Sequence, residues 1–380
     1  MKLAIASPSV SAYSETFIHM QMERLPCVLR IHGEPVASET VPGGAIQPLK
    51  NPRGLVDTLL EFGIGGRCRE GPQSRELGRR LRKARISVIL ANYGQTGCAL
   101  MPICRELNIR LVVHFHGYDA HMASVLRDYR DRYSDLGKSA EAIIAVSEKM
   151  RSALLNYGIP AEKIHLVRYG INPTLFPEKQ KVSSPPLFFG VGRFTDKKAP
   201  YLTLLSFKHA LERFPQATLV LAGDGDLWEA TRNMAHALGI EHAVTFPGSI
   251  SPSEVAGYMQ QATAFVQHSI VPRHGPKAGD SEGTPVAVTE ALMTGVPVIA
   301  TRHAGIGEVV QHGKTGLLFE ERDTVGMADA MVALAGDRDL AERMGKAARL
   351  DALSKYTSSH YISALEDALQ GRAPVGALTR

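Results

Sequence analysis

SEGTPVAVTEALMTGVPVIA, residues 281–300, predicts a loop, a helix and a strand in that order. Thr284 is the expected N-cap, and Pro285 suits the first helical turn because its missing N–H has no helical partner there. Residues 286–293 supply an apolar helix, which Gly295 would end in the left-handed conformation. A short apolar run over residues 296–300 then predicts a buried strand.

Two carboxylates flank the start of this predicted helix. Glu282 lies just ahead of the helix N-terminus, and Glu290 lies inside the helix. A helix N-terminus binds anions through its free backbone N–H groups and its dipole. The pattern therefore suits a ligand that carries both hydroxyl groups and phosphate. The alternative is a capped helix with a solvated glutamate at each end.

Strands and helices alternate twice along the chain, which has 380 residues and 44% hydrophobic side chains. This pattern predicts an α/β protein with two doubly wound parallel-sheet, Rossmann-like domains that face each other across a cleft. A polar, proline-containing segment at 179–186 is the expected linker, which divides domain 1–180 from domain 181–354. The ligand loops 7–16, 116–119, 192–198 and 281–285 all follow predicted strands, so all are expected to line that cleft.

The location of the chain is predicted from its cysteines and its apolar runs. The cysteines at 27, 68, 98 and 104 show no metal or redox spacing, which favours free thiols in a reducing cytosol. Residues 1–6 are too short for the apolar region of a signal peptide and are expected to form a first strand. No run of 18 apolar residues occurs in the sequence. We therefore expect a cytoplasmic protein.

Arg193 and Lys198 lie five residues apart in a loop that leads into a helix. An arginine can fork onto two oxygens and a lysine adds a compact charge, so this pair suits a diphosphate. Lys197 could take the role of Lys198, and surface salt bridging is the alternative. The nearby Asp224-Gly225-Asp226 also has the form of a metal-binding motif. We instead expect no bound metal, because the two cations can neutralise the diphosphate.

These residues resemble the retaining family 4 glycosyltransferases, which have the GT-B fold. The resemblance rests on Glu282 and Glu290 with seven residues between them, on Gly192-Arg193 with Lys198, and on His116-Gly117-x-Asp119. It covers nearly the whole chain and is densest over 187–320. Two positions depart from the family pattern, because Ala199 replaces a glycine and Tyr169 replaces an asparagine. The first loop carries Ser14-Glu15-Thr16-Phe17-Ile18, which is similar to a subgroup that builds extracellular polysaccharide repeat units.

The resemblance implies a role for each matching residue. The implied catalytic residues are His116, Arg193, Lys198 and Glu282. The implied donor-binding residues are Gly192, Arg193, Lys198, Gly223, Gly225, Glu282, Gly283, Thr284, Pro285 and Glu290. The implied acceptor-binding residues are Ser14, Glu15, Thr16, His116 and Asp119. It also implies that the last helix, about 358–369, crosses back, so that residues 355–380 join the first domain.

The resemblance further implies the reaction. A hexose would move from a nucleotide-diphosphate sugar of the UDP or GDP type to a saccharide or a lipid-linked saccharide, with retention and without a cofactor. A catalytically silent nucleotide-sugar-binding or scaffold protein is the second interpretation, and a phosphorylase with pyridoxal phosphate is a third. A nicotinamide oxidoreductase is disfavoured, because the glycine cluster at 63–66 follows a predicted helix rather than a strand.

Residues 67–85 form a basic segment. It contains Arg67, Arg69, Arg75, Arg79, Arg80, Arg82, Lys83 and Arg85 against Glu70 and Glu76. Its helical pattern is compatible with an amphipathic helix on an anionic membrane, which would place the protein on the inner face of the cytoplasmic membrane. A solvated helix face is the alternative. Nucleic acid is not expected as a partner, because no aromatic residues interleave with the cations.

Overall fold

The computed structural model describes residues 1–8, 15–32, 38–40, 47–48, 72–179 and 184–373. Within these ranges the chain forms two β-sheets, one before residue 179 and one after residue 184. Residues 180–183 lie outside the described residues, and so does the predicted boundary at 180. The glycine cluster at 63–66 and the basic residues 67 and 69 also lie outside them.

The first sheet has eight strands in the part of the chain that is described, in the order β4-β3-β2-β1-β5-β6-β7-β8. Five of its neighbouring pairs are parallel, but β3 and β4 form antiparallel pairs at one edge, which the sequence did not indicate. The strands are β1 Leu3–Ser7, β2 Cys27–His32, β3 Ser38–Thr40, β4 Gln47–Pro48, β5 Val88–Asn92, β6 Arg110–His114, β7 Ala142–Ala145 and β8 Ile164–Leu166.

The second sheet is parallel throughout and contains six strands of the described chain, in the order β11-β10-β9-β12-β13-β14. The strand order reverses between β9 and β12, which is the point where ligands bind in doubly wound sheets. The strands are β9 Leu187–Val191, β10 Thr218–Ala222, β11 Val244–Thr245, β12 Ala264–Gln267, β13 Val298–Thr301 and β14 Gly316–Phe319. The predicted α/β fold with two doubly wound parallel-sheet domains is confirmed.

Helices connect most of the strands and pack against the sheets. They are α1 Thr16–Arg24, α2 Pro72–Ala84, α3 Gly94–Leu107, α4 Tyr118–His121, α5 Ala123–Ser139, α6 Glu148–Asn156, α7 Pro200–Arg213, α8 Trp228–Ala237, α9 Pro252–Gln261, α10 Val286–Thr294, α11 Ile306–Val309, α12 Thr324–Gly336, α13 Arg338–Lys355 and α14 Ser358–Leu369, with 3₁₀ turns at Ala161–Lys163 and Glu241–Ala243.

The stretch 281–300 forms the predicted loop, helix and strand, with one correction at the helix start. Gly295 ends α10 with a φ of 79°, as expected for a left-handed cap. Pro285, not Thr284, occupies the N-cap position. The Thr284 hydroxyl instead donates to the carbonyl oxygen of Val146 at 2.8 Å, which links the second domain to the first. Thr284 therefore serves a contact between domains rather than its own helix.

The last helix packs on the first domain. Tyr361, Leu365 and Leu369 of α14 are buried in the same core as β1 and β5. The chain reaches this position through a crossing at Ile171, whose N–H donates to Tyr356 and whose carbonyl accepts from Ser358. Residues 374–380 lie outside the described residues.

Glu308 of α11 joins the two domains at a second place. Its carboxylate accepts hydrogen bonds from the backbone N–H groups of Glu148 at 2.9 and 3.0 Å and of Lys149 at 3.3 Å, which are the first residues of α6. It also pairs with Arg168 at 2.7 Å. A carboxylate at a helix N-terminus is stabilised by the free N–H groups and the dipole. The ends of α6 and α11 are thus held together across the cleft.

The apolar face of α2 lies on the protein and not on its surface. Leu81 is fully buried, and Leu77 packs against the first core. The idea of an amphipathic helix that buries this face in lipid is therefore wrong for residues 72–84. Its basic face remains exposed at Arg75, Lys83 and Arg85. No helix among the described residues is long and apolar enough to cross a membrane.

Candidate functional site

The Arg193 loop follows β9 and is held by the loop after β10. The N–H of Gly192 donates to the Ala222 carbonyl at 3.0 Å, and the N–H of Phe194 donates to the Asp224 carbonyl at 2.9 Å. Gly223 has a φ of 127°, and a Cβ on it would lie 2.0 Å from the Gly192 oxygen. Only glycine fits at such a close approach.

Gly225 is required for the same reason, because a Cβ there would lie 2.6 Å from the Phe194 carbonyl oxygen. We predicted that Gly223 and Gly225 bring the backbone close to a donor. In this structure they bring it close to the Arg193 loop, and the donor contact itself stays a prediction. The side chain of Arg193 is exposed and makes no hydrogen bond or ion pair with the residues that the structure describes.

Two lysine–carboxylate pairs connect the Arg193 loop to the loop before α10. Lys198 Nζ lies 3.1 Å from Glu282 Oε1, and Lys197 Nζ lies 3.0 Å from Asp280 Oδ1. Burial lowers the pKa of Lys198, although Glu282 opposes this shift. Burial alone would raise the pKa of Glu282, but Lys198 and Lys197 outweigh it and hold that pKa at about 2. Glu282 is therefore ionised, and Lys197 already has a partner of its own.

Glu290 lies one helical turn after Val286, and Val286 packs against the cores of both domains. Residues four apart share a helix face, so Glu290 lies on the side of α10 that faces the junction between the domains. Its carboxylate has no hydrogen-bond or ion-pair partner among the described residues. Burial raises its pKa to about 7. Such a carboxylate gains most from a ligand that donates hydrogen bonds to it.

His116 lies two residues beyond β6, in a cluster of rings. Its ring stacks on Phe17 and lies next to Tyr93, with centroid distances of 4.5 and 4.6 Å. Its Nδ1 lies 2.7 Å from the Tyr169 hydroxyl, and its Nε2 lies 2.9 Å from Asn92 Oδ1. Burial, with a contribution from His114, places the pKa of His116 well below its ordinary value. The ring is therefore neutral at pH 7.

The tautomer of His116 follows from the orientation of Asn92. The amide nitrogen of Asn92 donates to the Ala6 carbonyl at 3.3 Å and to Gln21 Oε1 at 2.8 Å, which leaves its oxygen facing His116. His116 Nε2 must then carry the proton, and Nδ1 accepts from the Tyr169 hydroxyl. Both ring nitrogens are thus bonded within the protein. A sugar hydroxyl could reach His116 only by replacing one of these partners.

Asp119 supports the turn that carries His116. Its side chain is fully buried, and its oxygens accept from the backbone N–H groups of His116, Gly117 and Gly94 at 2.9–3.0 Å. Burial raises its pKa to about 6 against the opposing effect of these bonds. We predicted that Asp119 binds the acceptor. In this structure it fixes the turn, and contact with the acceptor stays a prediction.

The predicted acceptor loop is described only from Glu15 onward, and Ser14 lies outside the described residues. Glu15 precedes α1 and accepts a hydrogen bond from the Tyr93 hydroxyl at 2.6 Å. Thr16 is the first residue of α1, and the following Phe17 stacks on His116. The structure therefore brings Glu15 and Thr16 to the His116 cluster.

The His116 turn and the Glu282 loop meet at the cleft. A Cβ on Gly283 would lie 2.7 Å from the His116 carbonyl oxygen, and a Cβ on Gly117 would lie 3.2 Å from the Gly283 nitrogen. Side chains at either position would force the two loops apart. The glycines thus let the N-terminal loop approach the helix start at Pro285 through backbone alone.

The Asp224–Asp226 turn shows no metal geometry. Asp224 accepts from the N–H of Gly225 at 2.7 Å, and Asp226 pairs with Lys277. Across the described residues, no group of three or more His, Cys, Asp or Glu side chains is arranged to hold a metal ion.

Several residues at this site were not singled out from the sequence. They are Asp280, which pairs with Lys197; Asn92 and Gln21, which orient His116; His303, which contacts the Glu282 loop; and Glu321, which bonds His303. Their signal in the sequence is weak, because each is a single polar residue and its partner is distant in the chain.

Two family models match adjacent parts of the chain. "Glycosyltransferase Family 4" matches residues 43–175, and "Glycosyl transferases group 1" matches residues 172–351. Together they span strands β4 to β8 of the first sheet and the whole second sheet.

Named relatives align over about two thirds of the chain or more. The amylovoran biosynthesis glycosyltransferase AmsK of Erwinia amylovora is 30% identical over 74% of this chain and 70% of its own length. A GDP-mannose-dependent alpha-(1-6)-phosphatidylinositol monomannoside mannosyltransferase of Mycobacterium tuberculosis is 28% identical over 69% of this chain and 70% of its own length. WcaL of Escherichia coli K12, named for colanic acid biosynthesis, is 29% identical, and the alignment spans 66% of this chain but only 62% of WcaL.

A solved structure matches the whole fold. Anabaena Alr3699/HepE in complex with UDP and glucose superposes with a TM-score of 0.75 at 17% identity, over 97% of this chain and 99% of that one. At this identity the likeness concerns the fold alone, while the sequence relatives and family models carry the assignment. The chain belongs to the family 4 glycosyltransferases.

Proposed function

We propose that this protein is a retaining, metal-independent glycosyltransferase, which moves a hexose from a UDP- or GDP-linked donor to a saccharide or lipid-linked saccharide in polysaccharide or glycolipid biosynthesis. The observation that carries the proposal is a pair of unsatisfied groups. The Arg193 guanidinium and the Glu290 carboxylate both lack partners among the described residues, and the family resemblance implies that they bind the diphosphate and the ribose. The relatives named for amylovoran and phosphatidylinositol mannoside synthesis support the substrate class.

The diphosphate and the ribose of the donor would each meet side chains of complementary chemistry. Arg193 would fork onto diphosphate oxygens, and Lys198 would add charge once donor oxygens share it with Glu282. These cations would stabilise the charge that grows on the leaving diphosphate. Glu290 would accept hydrogen bonds from the ribose hydroxyls, and the Glu282 loop would orient the sugar.

Retention would follow from attack on the same face of the sugar that the diphosphate leaves, with the departing phosphate taking the proton of the acceptor. The bonding of the cleft carboxylates supports this route. Asp119 has backbone partners on both oxygens, and Glu282 is paired with Lys198, so neither is placed as a free nucleophile. His116 would exchange Asn92 for a sugar hydroxyl and donate to it through Nε2.

The test is a transfer assay with purified protein, a panel of nucleotide sugars and a membrane extract as the source of acceptor. We expect nucleoside diphosphate release, a product with the anomeric configuration of the donor by NMR, and full activity in excess EDTA. Loss of activity in EDTA that magnesium or manganese restores would overturn metal independence. A covalent glycosyl–enzyme found by mass spectrometry would overturn same-face attack, and absence of transfer with every donor would favour a binding or scaffold protein.

We also propose that the basic face of α2 contacts an anionic membrane surface, which would bring the enzyme to a lipid-linked acceptor. Arg75, Lys83 and Arg85 are exposed and have no ion pair among the described residues, whereas Arg79 and Arg80 pair with Glu76. Each unpaired cation near such a surface adds about 1 kcal/mol of attraction at low salt.

The membrane contact predicts co-sedimentation with phosphatidylserine vesicles and not with phosphatidylcholine vesicles. Changing Arg75, Lys83 and Arg85 to glutamine should weaken this binding about 100-fold, since roughly 3 kcal/mol is removed. The matched control changes three exposed cations on the second domain, Arg213, Lys314 and Arg343. If both triple variants sediment like the wild type, α2 is only a solvated face.

A further inference from the structure

His303 connects the loop before α10 to an acidic residue after β14. The side chain of His303 is fully buried. Its Nε2 lies 3.1 Å from the backbone nitrogen of Glu282, and its Nδ1 lies 2.6 Å from Glu321 Oε1. The imidazole is thus fixed at both nitrogens, with the proposed sugar-positioning residue at one end.

The hydrogen-bond pattern determines the protonation of this pair. A backbone N–H can only donate, so Nε2 must offer its lone pair to Glu282, and Nδ1 must carry the proton for Glu321. The other oxygen of Glu321 accepts from the N–H of Val271 at 2.9 Å. Burial alone would raise the pKa of Glu321, but the bonds from His303 and Val271 outweigh it and hold that pKa at about 2. The carboxylate is ionised and holds His303 in this one tautomer.

The same atoms have the outline of a nucleophilic triad, because Ser281 Oγ lies 3.2 Å from His303 Nε2. Two contacts argue against that chemistry. The Nε2 lone pair already receives the N–H of Glu282 at the shorter distance of 3.1 Å, so it is not free to take the serine proton. Ser281 is also 1% exposed, and Lys149 Nζ lies 3.4 Å from its oxygen. An acyl donor could not reach this hydroxyl unless the residues around Ser281 moved.

We propose that His303 and Glu321 are positioning residues, which hold the backbone of Glu282 so that its carboxylate and the neighbouring N–H groups meet the sugar of the donor. The inference rests on the proposed function. Lys198 holds the side chain of Glu282 from one direction, and His303 holds its backbone from another. Glu282 directly precedes Gly283, which contacts the His116 turn of the other domain. A shift of this loop by about 1 Å would misplace reacting groups enough to cost roughly 10²-fold in rate.

Glu321→Gln is the sharpest test, because it keeps the shape and removes one acceptor. The amide oxygen can accept from the N–H of Val271 only if the NH₂ group faces His303. His303 Nδ1 must then accept a hydrogen bond, so the ring proton moves to Nε2. There it faces the N–H of Glu282, and the bond between them is lost. If the amide is turned the other way, its NH₂ group faces the N–H of Val271, and two donors then oppose each other. We expect kcat to fall about 10- to 100-fold. The side chain of Glu321 is 25% exposed, so the variant should fold.

His303 supplies a matched pair of variants. In His303→Gln the amide oxygen can still accept from Glu282, and its NH₂ can still donate to Glu321, so we expect kcat within about fivefold of the wild type. In His303→Leu both bonds are lost at similar volume, and kcat should fall about 100-fold. Ser281→Ala should stay within about threefold, since the backbone bond from Glu282 remains.

The decisive readout separates nucleotide binding from sugar positioning. Calorimetry should give the wild-type affinity for the free nucleoside diphosphate in Glu321→Gln and His303→Leu, because Arg193 and Glu290 lie on other elements. The additional affinity of the intact nucleotide sugar should be lost in both. Unchanged kcat in both variants would overturn the inference, as would an equal loss of affinity for the free nucleotide and the sugar nucleotide.

Labelling of Ser281 by a fluorophosphonate, together with inactivity of Ser281→Ala, would replace positioning with a nucleophilic triad. Failure of the proposed function would look different, since wild-type protein would then bind no nucleotide sugar. If His303→Leu does not fold, Glu321→Gln alone decides.

Discussion

Arg193→Ala combined with Lys198→Ala should lower turnover by about 10⁴-fold, since each preorganised donor to a developing charge contributes roughly 10²–10³. Both cations lie on the loop after β9, at the point where the strand order of the second sheet reverses. Their loss leaves the departing diphosphate without a fixed positive partner. Single-turnover assays with the best donor of the panel measure this effect directly.

The two substitutions differ in their structural cost, which allows a control. Arg193 is exposed, so Arg193→Ala should leave the unfolding temperature unchanged and still lower turnover about 10²-fold or more. Lys198→Ala strands the ionised Glu282, whose side chain is 9% exposed, and breaking such a buried pair costs about 3–5 kcal/mol. Arg343→Ala, an exposed arginine on α13, is the matched control. A folded double variant with near-normal turnover would remove the clamp from the mechanism.

Glu290→Gln should weaken donor binding and at the same time stabilise the free protein at pH 8. A glutamine accepts fewer hydrogen bonds from ribose hydroxyls than a carboxylate does, and a loss of about 1.5–3 kcal/mol, or roughly 10- to 100-fold in affinity, is expected. Without donor the ionised carboxylate is half-buried and has no partner among the described residues, which opposes folding. The substitution removes that opposition, so binding and stability should change in opposite directions.

The pH dependence of this effect follows from the raised pKa of Glu290. The folded protein holds the proton up to about pH 7, whereas the unfolded chain releases it near its ordinary value of 4.5. Below pH 4.5 both states are protonated and the penalty is absent; it grows through the interval and is complete above pH 7. Glu290→Gln should therefore raise the free energy of unfolding by about 1–3 kcal/mol at pH 8 and by little at pH 4.5.

Urea unfolding at the two pH values, with calorimetry of the nucleoside diphosphate at pH 8, measures both effects. Glu320→Gln, at an exposed glutamate, is the control for a change of one charge. Unchanged nucleotide affinity in Glu290→Gln would take this residue out of the ribose site. A loss of stability at pH 8 would show that the carboxylate has a partner in the free protein.

The sequence predicts the fold well because most elements depend on local patterns. The helix over 358–369 has the predicted bounds, and Gly295 caps its helix as expected. In these elements the spacing of the apolar residues and the capping residues agree with the packing in the structure. The antiparallel edge strands β3 and β4 follow no such pattern.

The errors occur where tertiary contacts compete with local preference. Thr284 has the chemistry of an N-cap, but its hydroxyl bonds Val146 of the other domain. Leu77 and Leu81 suggest a face for lipid, but the first core takes them. In each case a partner distant in the sequence decides the role.

Residues that position other site residues are hard to predict from the sequence for the same reason. Asn92 and His114 lie in register on neighbouring strands, which places Asn92 near the His116 turn, but nothing in either strand marks the pair. His303 and Glu321 are 18 residues apart and follow different strands. The sequence indicates Lys198 and Glu282 as separate site residues, but it does not indicate the ion pair between them.

The central claim is that the second domain grips the pyrophosphate of an activated sugar. Its most direct test is the thermal unfolding of the wild type and of Arg193→Ala with saturating UDP-, GDP- and ADP-sugars. A donor present at 100 times its dissociation constant adds about 2.7 kcal/mol of stability, so one base should raise the melting temperature of the wild type by several degrees and that of Arg193→Ala by much less. Melting curves that no nucleotide sugar moves, or that move equally in both proteins, would contradict the account.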